Sequence, residues 1–273
     1  MLLRLFVVAV LLAAAAAAVV LVIRSRRTNL HGARETRFEI NSRLLHRSLP
    51  AVAVVPPGTD GRGRPLLVFL HDTGSDGQDQ NLSSAMFAAL AAQGASAPDV
   101  VFPGGGDDSY WHNRTSGPWG SYVVDEVIPQ ALALLNADRH RIAIGGISMG
   151  GFGALDIARF YPGLFCAVGG HSAALWRRAA ASAPGAFDNA ADFGVNDMLG
   201  AARGSNLYAR TPVWLDVGTS DAFRPANAAL ARELRAHGAR VTFSIAPGGH
   251  DSSYWDSRWP DYMAFYARAC RGA

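Results

Sequence analysis

The chain has 273 residues, of which 49% are hydrophobic and 17% are charged, so it is long enough to bury one large core. All 25 of its lysine-or-arginine positions are arginine. Four lie in the first 30 residues, which contain no acid, so the other 21 against 22 acidic residues leave a charge of −1. This balance excludes the basic surface typical of nucleic-acid-binding proteins, and two cysteines are too few for a metal site.

The first predicted element is a continuous apolar run, Leu5 to Ile23, with arginines on both sides. A run of this length suits a bilayer span. Its alanines offer cleavage sites of the kind found in secretory signals, but the run continues beyond them, which favours an uncleaved anchor. We expect residues 1–30 to form a signal or membrane anchor with its flank, and residues 31–273 to form one domain. The arginines are denser after the run, which opposes export under the positive-inside rule and leaves the orientation open. We expect an extracytoplasmic domain because an N-terminal apolar segment ahead of a single domain is usually a secretory device.

Short apolar runs and helical segments alternate along the rest of the chain. The predicted strands are Arg37–Ile40, Leu49–Val55, Pro65–Leu70, Val100–Phe102, Ile142–Ile147, Ala167–Gly170, Pro212–Val217 and Val241–Ile245. The predicted helices are Leu82–Gln93, Tyr122–Leu135, Phe152–Phe160, Pro225–His237 and Tyr254–Ala269. The segment from Ser172 to Arg210 is irregular and is predicted to be an insertion over the site. This alternation indicates an α/β fold with a mostly parallel central sheet and helices on both faces.

One strand-to-helix junction carries the pattern G-x-S-x-G, from Gly146 to Gly150. A serine on such a sharp turn has a strained backbone and an exposed Oγ, and the flanking glycines let strand and helix approach closely. The helix N-terminus behind the serine presents free N–H groups to a developing oxyanion. This context predicts that Ser148 is a nucleophile. The alternative is a glycine-rich turn of some other α/β protein.

Two other reactive side chains follow later strands, Asp221 and His250. Ligands of open parallel sheets bind beyond the carboxyl ends of the strands, so these residues and Ser148 are expected to converge there. His250 can accept the serine proton, and Asp221 can orient the imidazole and stabilise its charged form.

Other acids and histidines near these positions have less favourable placements. Asp216 lies inside a predicted strand and is the alternative acid. Asp251 adjoins His250 but is expected to point elsewhere. His71 and His171 are expected to be structural hydrogen-bonding groups rather than bases.

Several segments resemble one known family. PLLVFLHD, VVFPGG with YWHN, IAIGGISMGGFGAL, DVGTSD and GGHDSSYW are similar to the Putative esterase family of α/β-hydrolases, and the resemblance covers roughly residues 48–266. This family includes S-formylglutathione hydrolases, feruloyl-type esterases and the antigen 85 mycolyltransferases. The resemblance implies the α/β-hydrolase fold, with Ser148 as nucleophile, Asp221 as acid and His250 as base.

The family also implies an oxyanion hole made of backbone N–H groups. One donor is the residue after the nucleophile, here Met149, and the other comes from the loop after the third strand, here near Thr73. The family often has His-Gly in that loop, whereas this chain has His71-Asp72. A carboxylate close to an oxyanion would oppose its formation.

The substrate pocket is less well specified. Trp111, Trp119 and Trp255 are candidate substrate-binding residues, with core packing as the equal alternative. The insertion from Ser172 to Arg210 is mostly small or polar, so no long continuous apolar lining is predicted. This favours short acyl or aryl esters as substrates.

The two cysteines lie far apart in the sequence. Cys166 falls in an apolar stretch and is expected to be a buried strand residue. Whether it forms a disulfide with Cys270, which lies near the C-terminus, is left open by the sequence.

The sequence therefore predicts an extracytoplasmic serine esterase that forms an acyl-enzyme and uses no metal or cofactor. We expect a monomer, secreted or held at the membrane by its N-terminal segment, that acts on a small-molecule or cell-envelope ester and binds no nucleic acid. One alternative is an acyltransferase of the mycolyltransferase type, which passes the acyl group to a sugar or lipid alcohol. The other is an inactive scaffold that binds the cell envelope. A dinucleotide-binding domain is excluded because GGISMGG lies in mid-chain without a partner acid at a second strand end.

Overall fold

The structure is a computed structural model that describes residues 28–74 and 77–271. The apolar run predicted to be a signal or anchor, Leu5 to Ile23, lies outside these residues. Within the described ranges, no helix combines the length and apolarity that crossing a bilayer requires.

Eight strands form one sheet, in the order β1-β2-β4-β3-β7-β8-β9-β10. The first two neighbour pairs, β1 with β2 and β2 with β4, are antiparallel, and every other pair is parallel. A separate two-stranded ribbon, β5 with β6, lies in the loop after β4. The ten strands are β1 Arg34–Ser42, β2 Arg47–Val55, β3 Pro65–Leu70, β4 Asp99–Pro103, β5 Asn113–Arg114, β6 Gly117–Pro118, β7 Asp138–Ile147, β8 Ala167–His171, β9 Val213–Gly218 and β10 Val241–Ala246. The mostly parallel sheet predicted from the sequence is confirmed.

The helices are α1 Ser84–Ala92, α2 Trp119–Tyr122, α3 Ile128–Leu135, α4 Met149–Phe160, α5 Ala190–Val195, α6 Met198–Ala202, α7 Arg224–Ala236 and α8 Ser252–Ala269. Short 3₁₀ turns lie at Gly77–Asp79, Gly94–Ser96 and Ala179–Ala181. The insertion from Ser172 to Arg210, predicted to be irregular, therefore contains two short helices. Their N-caps explain them: Asn189 and Asp197 each accept hydrogen bonds from the first-turn N–H groups.

The predicted helix Tyr122–Leu135 begins earlier and is not a regular α-helix. Its middle turn, Val123–Val127, is π-helical, and the Ile128 N–H donates to the carbonyl oxygen of Val123, five residues back. Pro129 follows at once and has no N–H to donate to the previous turn. The wider turn accommodates this missing donor.

The core lies in two layers, one on each face of the sheet. Successive side chains of β3 alternate between them: Leu66, Val68 and Leu70 pack in the layer that contains α3, α4 and α7, while Leu67 and Phe69 pack in the layer with α1 and α8. Every residue of β3 is buried, as expected for a central parallel strand.

A disulfide joins Cys166 and Cys270, whose Cα atoms are 5.2 Å apart. Cys166 was predicted to be a buried strand residue, but it lies half-buried in the loop just before β8. The prediction was wrong because the apolar stretch begins at Leu164, whereas strand β8 begins only at Ala167. The disulfide fastens the C-terminal end of α8 to the entry of β8.

Candidate active site

Ser148 lies at the junction of β7 and α4, with φ of 54° and ψ of −112°. Non-glycine residues rarely adopt this conformation, so the surrounding contacts must hold it. A Cβ on Gly146 would meet the backbone carbon of Gly150 at 2.4 Å, and one on Gly150 would meet the Leu70 carbonyl oxygen at 2.1 Å. The two glycines of the predicted motif are therefore required by close backbone packing.

His250 contacts the other two side chains that the sequence analysis singled out. Its Nε2 is 2.8 Å from the Ser148 Oγ, and its Nδ1 is 2.9 Å from an Asp221 carboxylate oxygen. Because a carboxylate can only accept, Nδ1 carries the proton and Nε2 accepts from the serine hydroxyl. The sequence prediction that these three side chains converge agrees with this geometry.

Asp221 is held as a carboxylate. Burial alone would raise its pKa, but hydrogen bonds from His250 and from the Phe223 N–H outweigh that effect, so its pKa lies below the ordinary value. The Phe223 N–H donates to the second carboxylate oxygen at 2.7 Å, which fixes the side chain in its rotamer. The carboxylate is thus placed to orient the imidazole and to stabilise the imidazolium that forms during proton transfer.

The neighbouring acids have other partners. Asp216, the alternative acid, accepts hydrogen bonds from His171, Tyr254 and Tyr262 and does not contact His250. Asp251 is exposed and caps α8 by accepting from the Tyr254 N–H. Neither residue is placed to orient His250.

His71 and His171 hold backbone and core elements in place, as expected. The Gly105 N–H donates to His71 Nε2 at 2.9 Å, and the protonated Nδ1 donates to the Asp72 carbonyl oxygen. Burial lowers the pKa of His71 to about 4, so the ring is neutral near pH 7. This contact joins the loop after β3 to the loop after β4.

Asp72 occupies the position where the resembling family often has glycine. Burial raises the pKa of Asp72 to about 6, and the charge of His250 opposes this rise. The carboxyl group is therefore close enough to His250 to interact with it. Its half-buried side chain adds a titratable acid beside the triad.

The two residues proposed to form an oxyanion hole lie on adjoining segments. Met149 is the first residue of α4, where backbone N–H groups have no acceptor within the helix. Thr73 lies in the exposed loop after β3. These segments touch at Gly150, where a Cβ would meet the carbonyl oxygens of both Leu70 and His71.

The three candidate tryptophans have different surroundings. Trp111 and Trp119 are buried, at 0% and 2% exposure. Trp111 donates from Nε1 to the His71 carbonyl oxygen, and Trp119 packs against Tyr122. Trp255 is half-buried, and its ring centroid is 5.2 Å from that of His250. Of the three, only Trp255 contacts a triad side chain.

A set of aromatic rings beside the triad was not identified from the sequence. Phe223 lies 5.1 Å from the His250 ring and 5.5 Å from Trp176, and Trp176 packs against both Tyr110 and Phe187. We call these four residues the aromatic wall. The wall is assembled from three separate loops and comprises four side chains, so the prediction that no long continuous apolar lining is present stays a prediction.

Within residues 28–74 and 77–271, no group of three or more His, Cys, Asp or Glu side chains is placed to hold a metal ion. The reactive groups at the site are the serine hydroxyl, the imidazole and the carboxylates. This set can transfer a proton and form a bond from oxygen to an acyl carbon.

Known proteins resemble this chain in sequence and in structure. In sequence, it is 33% identical over 134 residues to "Esterase Rv1288" of Mycobacterium tuberculosis, an alignment that covers 45% of this chain and 29% of the relative. The chain thus matches less than a third of the length of that relative.

Solved structures show the same fold at low sequence identity. A ferulic acid esterase superposes with a TM-score of 0.74 at 19% identity, covering 87% of this chain and 98% of the other. The serine hydrolase FphF of Staphylococcus aureus gives 0.72 at 16%, covering 86% and 98%. Mycobacterium tuberculosis MPT51 gives 0.69 at 19%, covering 87% and 99%. These likenesses confirm the α/β-hydrolase fold.

The family comparison covers most of the chain. Residues 42–266 match the family model named Esterase and described as "Putative esterase". This match includes the strand-to-helix turn at Ser148, the loop of Asp221 and the loop of His250. The chain therefore belongs to the Esterase family of α/β-hydrolases.

Proposed function

We propose that this protein is a serine esterase that hydrolyses carboxylic esters through an acyl-enzyme. The observation that carries this proposal is the hydrogen-bonded series Ser148–His250–Asp221, placed at a strained turn at the start of a helix. Membership of the Esterase family supports it.

In the proposed reaction, His250 Nε2 takes the proton of Ser148 as Oγ attacks the ester carbonyl carbon. Asp221 stabilises the imidazolium that forms. The carbonyl oxygen becomes an oxyanion, which would accept hydrogen bonds from the backbone N–H groups of Met149 and Thr73. The imidazolium then gives its proton to the leaving alcohol, and water releases the acid from Ser148 by the same steps.

The decisive experiment is labelling with a fluorophosphonate, which reacts with an activated serine. Wild-type protein should be labelled, and Ser148→Ala should lose both labelling and hydrolysis while unfolding at the same urea concentration. Ser220→Ala is the matched control, since this exposed serine lies next to Asp221 and should keep both properties. Labelling that survives in Ser148→Ala would refute the assignment, and an unlabelled wild type would favour an inactive binding scaffold.

The aromatic wall supports short acyl or aryl esters as substrates. Phe223 is half-buried directly beside His250, and the half-buried Trp176 packs against Phe223, so the two rings offer flat apolar surface next to the triad. A p-nitrophenyl ester series from acetate to palmitate, with and without glycerol or trehalose, tests this part. We expect activity to peak at short chains with free acid as product. A preference for long chains, together with transfer to the alcohol, would instead indicate an acyltransferase.

Location is a separate part of the proposal. The apolar run Leu5–Ile23 supports a protein held at the membrane. We place the esterase domain outside the cytoplasm because an N-terminal apolar segment ahead of a single domain is usually a secretory device. The arginines oppose this orientation under the positive-inside rule, since Arg24, Arg26 and Arg27 follow the run and only Arg4 precedes it. Cell fractionation with N-terminal sequencing tests this. A soluble product that starts near Val19 would show a cleaved signal instead.

A further inference from the structure

Asp216 is a fully buried carboxylate near the carboxyl end of β9, and the proposed reaction does not use it. It accepts three hydrogen bonds: from His171 Nδ1 at 2.6 Å, from the Tyr254 hydroxyl at 2.8 Å and from the Tyr262 hydroxyl at 2.9 Å. Tyr266 donates to the other nitrogen of His171 at 2.8 Å. We call these five residues the Asp216 cluster.

A buried carboxyl group of this kind is retained only when donors satisfy it, and here the donors come from two elements other than its own strand. His171 ends β8, Asp216 lies in β9, and the tyrosines are on α8. The nearest guanidinium nitrogen, Arg258 Nε, is 4.0 Å away. The cluster is therefore a rigid connection between two strands and a helix.

On its strand side, the cluster connects to the backbone of Ser148. The Ser148 N–H donates to the His171 carbonyl oxygen at 2.9 Å, and the Ala174 N–H donates to the Ser148 carbonyl oxygen at 3.0 Å. The Ser172 N–H donates in turn to the Asp216 carbonyl oxygen at 2.8 Å. The end of β8 thus holds the strained turn of the serine on one side and Asp216 on the other.

On its helix side, the cluster connects to the loop of His250 through Tyr254. A Cβ on Gly248 would meet Tyr254 Cδ2 at 2.6 Å and Tyr254 Cβ at 3.0 Å, so the ring lies directly against this glycine. The Ser220 N–H donates to the Gly248 carbonyl oxygen at 2.9 Å, which holds the loop from its other side. The loop that carries His250 is thus clamped between β9 and the Tyr254 ring.

From these contacts we propose that Tyr254 is a positioning residue, whose hydrogen bond to Asp216 fixes the His250 loop relative to Ser148. This inference rests on the proposed function, because it assigns Tyr254 an effect on the same reaction. Small displacements of reacting groups lower rates strongly, so the lost hydroxyl should slow the chemical step rather than weaken substrate binding.

Tyr262 provides the matched control. It donates to the same Asp216 oxygen at almost the same distance, but its ring stacks on His171, 3.6 Å between centroids, two turns further along α8. Tyr254→Phe should lower kcat and the rate of fluorophosphonate labelling by about tenfold, with KM within about twofold. Tyr262→Phe should lose similar stability in urea but keep kcat within about twofold of wild type.

A second measurement does not depend on catalysis. Amide hydrogen exchange of the peptide that contains Ser220 should be faster in Tyr254→Phe than in wild type, because its acceptor on Gly248 is released. The same peptide should be unchanged in Tyr262→Phe. If the wild type proves unlabelled, the proposed function fails, and this exchange measurement alone decides whether Tyr254 positions the loop.

Three results would overturn the inference. Equal kcat and labelling rates in both variants would show that the Tyr254 hydroxyl has no special role in positioning. Unchanged exchange at Ser220 in Tyr254→Phe would show that the loop is held without it. Failure of Tyr254→Phe to fold, while Tyr262→Phe folds, would make the hydroxyl a stability element instead.

Discussion

Removing the disulfide should destabilise the protein by an amount that depends on how many residues separate the two cysteines. Cys166 and Cys270 are separated by 104 residues. In the chain-entropy description, a cross-link closing a loop of this length lowers the free energy of folding by about 4.7 kcal/mol, mainly by restricting the unfolded chain. This is a large part of the 5–15 kcal/mol that stabilises a typical domain. The double variant Cys166→Ser/Cys270→Ser is therefore expected to unfold at much lower urea concentration.

Urea unfolding measures the effect directly. With a slope of about 3 kcal/mol per M, a loss of about 4.7 kcal/mol moves the midpoint down by about 1.5 M. The slope should also increase, because the unfolded chain without the cross-link exposes more surface. Wild type treated with a reductant is the control and should match the double variant.

Loss of the disulfide should leave the catalytic activity unchanged although it lowers the stability. His250 precedes α8 and Cys270 follows it, and this helix of 18 residues is about 27 Å long at 1.5 Å of rise per residue. The disulfide therefore constrains the end of the helix that is remote from the triad, and kcat at 25 °C should be unchanged in the variant. Equal urea midpoints for oxidised and reduced protein would refute the reasoning. A fall in kcat without loss of folded protein would show that the cross-link acts on the site.

Three further variants test the carboxyl groups. Asp221→Asn should lower kcat by about 10⁴ at unchanged stability, because the imidazole loses its orienting acceptor; a loss below tenfold in ester hydrolysis would contradict its role. Asp99 is fully buried with no hydrogen-bond partner on either oxygen, and burial raises its pKa to about 7. Because the folded pKa exceeds the unfolded value near 4, stability should fall as pH rises from 4 to 7 and stay low above it. The free energy of unfolding, measured by urea titration, should differ less between pH 5 and pH 8 in Asp99→Asn than in wild type. An equal difference in the two proteins would refute this prediction. Burial raises the pKa of Asp72 to about 6, so Asp72→Asn should leave kcat/KM unchanged at pH 5 but raise it about fivefold at pH 8, where the removed charge opposes an oxyanion. A higher rate at both pH values would contradict this.

The strand ends were the most informative part of the sequence. Ser148, Asp221 and His250 each follow an apolar run, and the rule that parallel strands present their carboxyl ends at one edge was enough to bring them together. Asp221 could be preferred over Asp216 on the same ground, because it lies past the end of its strand. Local pattern and sheet topology therefore predicted this geometry without any knowledge of distances.

Contacts between distant loops could not be predicted in this way. Tyr110, Trp176 and Phe223 belong to three loops, and nothing local in their sequence indicates that their rings meet. The same holds for Tyr254 and Asp216, which are 38 positions apart and meet because α8 packs across β8 and β9. The pairing of Cys166 with Cys270 has the same origin. Side-chain packing, rather than periodicity, decides all of these contacts.

The two edge strands of the central sheet differ in charge, and this difference affects aggregation during refolding. Strand β1 lies at one edge and carries alternating arginine and glutamate side chains, which discourage pairing with another chain. Strand β10 lies at the other edge, contains no charged residue, and leaves Ile245 47% exposed. Within the described part of the chain, β10 pairs on one side only, with β9. Its free N–H and carbonyl groups form a template on which partly unfolded molecules can add strands, so losses during refolding should grow with protein concentration. A single lysine in place of the exposed Thr242 would reduce them.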